Sequence, residues 1–112
     1  MYARIARFDG LDPSRIDEQI AERRRHMDGA RWRRLPEGAP EQALTLVETV
    51  RQVYQCVDRE RGTALTIMLC DTREDALRTD TALNDMSPAE GEGQRSSVEI
   101  LEVVWDEDFT WD

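Results

Sequence analysis

The chain has 112 residues, and 24 acidic side chains against 15 basic ones leave it at −9, a balance that argues against nucleic acid or an anionic membrane surface as its main partner. Its length suits one domain with a modest core, and its apolar residues are clustered rather than diluted, which argues against disorder. All fifteen basic residues are arginine, so Schiff-base or lysine-general-base chemistry within the chain is excluded.

Taken in order, Tyr2–Phe8 reads as a strand with Tyr2, Arg4, Ala6 and Phe8 on one face and Ala3, Ile5 and Arg7 on the other. Met1 leads straight into it without a charged-then-apolar leader, and no long apolar run follows. The expectation is therefore a cytoplasmic protein that does not enter a membrane. Asp12 with Pro13 behind it is a helix start, because proline has no amide to leave unsatisfied. The helix is expected from Pro13 to about Arg31, with Ile16, Ile20, Met27 and Ala30 as its apolar stripe. A loop at 36–40 precedes a second, shorter helix from Glu41 to about Glu48.

A β-hairpin is expected next, Val53–Val57 and Ala64–Cys70 around a charged turn closed by Gly62. Its second arm is apolar on both faces, so both should be covered. Cys56 and Cys70 fall out of register on the two arms, which reads them as reduced thiols in the core. Thr72 and Asp75 cap a further helix from Arg73 to about Met86, with Ala76, Leu77, Leu83 and Met86 buried. After a glycine-rich, mobile loop at 87–94, Ser97–Trp105 is the last strand. The domain is thus 1–105, with 106–112 as an acidic, aromatic tail. Trp105, Phe109 and Trp111 predict that this tail docks back on its own protein, the alternatives being docking to a different protein and a disordered end.

The order predicts an α+β ferredoxin-like βαββαβ sandwich, a four-stranded antiparallel sheet with its helices on one face. The doubly apolar strands then call for a second copy on the other face, a two-fold homodimer. If Leu65, Ile67 and Leu69 face the helices, then Thr66, Met68 and Cys70 face the space between the two sheets. Arg4 is the first-strand charge able to orient an anionic or phenolate-bearing ligand there. The competing reading is a filled dimer core with Arg4 paired to an acidic neighbour. His26 reads as a surface helix residue. One histidine and two separated cysteines make no metal-ligand spacing, and no nucleophile motif or phosphate loop is present. No cofactor is expected.

The opening YARIARFDG-LDPSRIDEQI, the core VDRERGTALTIMLCDTREDA and the ending SSVEILEVV resemble the dimeric α+β barrel superfamily. More narrowly, they are similar to small antibiotic-biosynthesis-monooxygenase-like proteins of actinobacteria, over roughly residues 2–35 and 50–104. In that group a short Pro-Gly-Phe-type connection often stands where 36–49 is inserted here. The resemblance implies a dimer of ferredoxin-like units with two competing functions. One is a small-molecule-binding or non-catalytic module. The other is a cofactor-independent monooxygenase or cyclase for an aromatic or polyketide-like substrate, which needs a base and a dry cavity. Haem degradation, another activity of the superfamily, uses an asparagine on the first strand, a tryptophan ending the third and a histidine on the second helix. Here the first strand has no Asn, Cys70 replaces the tryptophan, and 73–86 has no His.

Overall fold

A computed structural model describes residues 1–31, 37–86 and 93–110, and the side chains of all of these except 26–31. Strand β1 (Tyr2–Asp9) leads through a 3-10 turn, Pro13–Arg15, into helix α1 (Ile16–Arg31). Helix α2 (Glu41–Thr49), the hairpin β2 (Val50–Asp58) and β3 (Thr63–Cys70), helix α3 (Arg73–Asn84) and strand β4 (Gln94–Glu102) follow. The sheet is antiparallel throughout, in the order β2-β3-β1-β4. This α+β arrangement is compatible with a ferredoxin-like fold, with α2 added between the first helix and the second strand. No helix among the described residues is long and apolar enough to cross a membrane.

The expected start signals work through the expected atoms. Asp12 accepts from the Ser14 amide at 3.0 Å and Thr72 Oγ1 accepts from the Asp75 amide at 3.0 Å, each cap contributing about 1 kcal/mol. Burial within α1 follows the stripe at Ile16 and Ile20, while its members Met27 and Ala30, like His26, lie outside the described side chains. In the hairpin turn, Asp58 Oδ1 accepts from the amides of Glu60 and Arg61, both at 3.1 Å. Gly62 closes the turn at φ +66° and accepts from the Leu11 amide, which fastens the hairpin to the start of α1. Arg59 adds an exposed ion pair to Asp17 and holds that carboxyl below its usual range by hydrogen bonding and charge.

Three expectations about the elements need correction. Strand β4 is Gln94–Glu102 rather than Ser97–Trp105, so Gln94 and Arg95 belong to it, opposite Asp9 and Phe8. Beyond Glu102, Val103 donates one bond to Met1 O, and Val104 and Trp105 are 86% and 71% exposed. In α3 the buried residues are Ala76, Thr79 and Ala82, whereas Leu77 and Met86 are exposed. Cys56 is free but exposed rather than in the core. In the tail, Trp105 and Phe109 pack edge to face with centroids 6.1 Å apart and both remain exposed. The expected loop residues 87–92, and Trp111, lie outside the described residues.

Gly93 is where β4 enters the sheet, at φ +77°, and an added Cβ would stand 2.1 Å from the Asp9 carbonyl oxygen. Gly38 has a similar φ, +83°, with open space around it. Gly93→Ala is therefore expected to cost about 2 kcal/mol or more, from left-handed strain plus displacement of backbone, and Gly38→Ala about 1 kcal/mol. Thermal unfolding of the two variants side by side checks this. Equal losses would show that the β1–β4 junction tolerates the clash.

Candidate functional site

The two faces of the sheet follow from its register. Phe8, Ala6, Arg4 and Tyr2 stand beside Ala64, Thr66, Met68 and Cys70 of β3, and Val57, Gln55 and Val53 of β2 share that side. The helices cover this side. Leu11 and Ile16 cluster with Ala64, with Phe8, Ile20 and Val57 packed around them. At the other end Cys70 Sγ lies 3.5 Å from Thr79 Oγ1 of α3, which lies 2.7 Å from Thr49 Oγ1 of α2.

Arg4, Thr66, Met68 and Cys70 are therefore together on one face, but it is the helix-covered face. The sequence reading placed them on the opposite one. Leu65, Ile67 and Leu69 take the open side, with Ala3, Ile5, Arg7, Tyr54, Cys56, Glu99 and Leu101. Cys70 is fully buried. The hydroxyls of Thr49 and Thr79 each also lie 2.9 Å from a carbonyl one helical turn back, Thr45 O and Asp75 O. Two hydroxyl protons serve three such contacts, and the Cys70 thiol adds a weak donor. That cluster is a polar clasp between β3, α3 and α2 rather than a ligand surface.

The middle of the same face is covered less completely. Thr66 and Met68 are half-buried, and Gln55 and Val53 are exposed, Val53 at 40%. Arg4 stands beside Met68 at 3% exposure. Its Nε donates to Asp80 Oδ1 at 2.9 Å, the acidic partner the competing reading anticipated. Asp80 Oδ2 accepts from Asn84 Nδ2 at 3.3 Å, and Asn84 Oδ1 accepts from Arg95 at 2.6 Å. On the other flank, Arg23 of α1 donates to Gln55 Oε1, and burial holds its guanidinium below the usual value. The result is an apolar floor, Met68 and Val53, with a buried guanidinium at one end and an amide–guanidinium pair at the other.

Asp80 and the Arg23–Gln55 pair are absent from the sequence reading. The signal for Asp80 was there: 76, 79, 80 and 83 recur at i, i+3, i+4 and i+7, the spacing of one helix face. Reading only apolar members of that stripe passed over Thr79 and Asp80. A separate shallow groove of about 380 Å³ crosses the hairpin end of the open face, lined by Arg7, Cys56, Leu65 and Ser96 among others. It is wide to solvent and lacks convergent buried polar groups. Among the described residues no three His, Cys, Asp or Glu side chains converge as a metal site would require. No protein-family model and no curated protein matches the chain.

Proposed function

We propose that the protein is a non-catalytic, small-molecule-binding homodimer of the dimeric α+β barrel kind, holding a ligand in each protomer between sheet and helices. One observation carries the reading. The centre of the helix-side face, Thr66, Met68 and Val53, is incompletely covered, with the buried Arg4 guanidinium at its head. Small-molecule sites combine an apolar surface with a few fixed polar groups, and this floor has both. Arg4, Thr66 and Met68 serve as contact residues, while Cys70 acts from behind by fixing the helix layer. Oxygenase or cyclase work needs a base free to accept a proton. The carboxylate paired to the guanidinium at its head, Asp80, is held by Arg4 and Asn84, so binding is favoured over turnover.

The homodimer rests on the other face. Ile5, Leu65, Ile67 and Leu69 are half-buried in the protomer, and Tyr54 and Leu101 are each 48% exposed. A contiguous apolar face of this kind suits a partner. It carries one Arg7 and one Glu99, which a two-fold copy can set against each other.

The test of ligand binding uses the four methionines of the chain, labelled at their methyl groups. Titration of the full chain with a panel of small aromatic compounds is expected to shift the Met68 methyl signal and leave that of exposed Met86 in place. No compound moving Met68, or Met86 moving with it, sinks the reading.

A further inference from the structure

We infer that the helix-side floor takes a carboxylate-bearing small molecule with an apolar body, its carboxylate received end-on by the two terminal nitrogens of Arg4. This rests on the ligand-binding reading above and names the class of ligand.

A guanidinium carries five N–H groups and cannot lose its charge in a protein. Arg4 uses one of them, Nε to Asp80 Oδ1. Its terminal nitrogens make no hydrogen bond among the described residues, although Arg4 is 3% exposed. Four donors are thus unspent, and since no fully buried side-chain nitrogen or oxygen among the described residues lacks a partner, the fork reaches the solvent edge of the site, where a ligand can replace water on it. Asp80 cannot supply the missing acceptors while it holds its present place, because its second oxygen is turned to Asn84. Asn84 is fixed in turn by Arg95 of β4. The network therefore orients the guanidinium from its side and leaves the fork pointing elsewhere.

A fork of two parallel N–H donors matches a planar carboxylate, which accepts both. The surroundings decide what the carboxylate is attached to. Met68 of β3 and Ile100 of β4 flank Arg4 in its row, and Val53 lies beyond Met68. An apolar body laid over Met68 and Val53 removes their surface from water. A strongly hydrated inorganic anion gains nothing from that floor.

The test compares matched pairs on the wild-type chain: benzoate with benzamide, and 2-naphthoate with 2-naphthamide. Dissociation constants come from calorimetry, and the site is read from the Met68 methyl and from the guanidinium N–H signals of Arg4. The carboxylates are expected to bind at least tenfold tighter than their amides and to shift the Arg4 signals. Arg4→Lys keeps the charge and removes the fork, and it is expected to weaken the carboxylates at least tenfold with little effect on the amides. Should that variant fail to fold, the wild-type pairs and the Arg4 signals decide by themselves. Amides binding as tightly as carboxylates at Met68 overturn the carboxylate assignment and leave the ligand site standing. Carboxylates binding without movement of the Arg4 signals overturn it as well. Silence of Met68 toward both members of each pair removes the ligand site together with the assignment.

Discussion

Cys70→Trp is expected to cost the fold about 3 kcal/mol or more, because the thiol it replaces is fully buried and touches the polar clasp under α3. Overpacking a filled site costs about 1–3 kcal/mol. The larger ring also has to push Thr79 away from Thr49, 2.7 Å distant, which breaks a buried hydrogen bond worth about 1 kcal/mol even though each hydroxyl keeps its helical carbonyl. Against a total stability of about 5–15 kcal/mol, a loss of that size lowers the midpoint by roughly 15 °C in a domain of this length. Cys70→Ala removes one sulfur from the same place and is expected to cost only about 1 kcal/mol. Thermal and denaturant unfolding of both variants give the comparison. A Trp variant within about 1 kcal/mol of the parent chain would mean that the helix layer yields easily at that end.

The second large effect concerns assembly. Ile67→Glu is expected to convert the proposed dimer to a monomer at micromolar concentration, with the protomer still folded. Ile67 lies in the middle row of the open face, between Tyr54 and Ile5. A carboxylate there is solvated in the protomer but stripped of water between two sheets, which costs several kcal/mol without a partner. About 3 kcal/mol already corresponds to more than a hundredfold in Kd. Thr81→Glu, on the exposed side of α3, adds the same charge away from the face and should leave assembly unchanged. Sedimentation velocity across a dilution series reads both. A parent chain that is monomeric at every concentration would leave the open face without its proposed occupant.

Much of the fold was legible because local chemistry agrees with it. Asp12 with Pro13, Thr72 with Asp75, and the glycine-closed turn at Gly62 each act through the backbone within a few residues. Their outcome depends little on what packs above them. The cysteine register was equally accessible, since Cys56 does stand opposite Leu65. The limits of β4 were not. Gln94 and Arg95 look like loop, yet Asp9 and Phe8 lie alongside to pair with them, while Val104 and Trp105 look like strand and find no ladder beyond the bond at Met1. A strand ends where its neighbour's hydrogen-bonding groups end, and that is a fact about another segment.

By itself the sequence determined where the chain turns, caps and alternates, because those choices are made among neighbours along the chain. Which face of β3 meets the helices was decided only by tertiary structure. With Leu65, Ile67 and Leu69 on one side and Thr66, Met68 and Cys70 on the other, both faces are apolar enough to bury. A period of two then carries no preference between them. The choice fell to the residues that reach across: Asp80 to Arg4, Thr79 to Cys70, and Leu11 and Ile16 to Ala64. Those contacts join segments far apart in the chain, and they turned Arg4 from a charge facing a second copy into a buried guanidinium under α3.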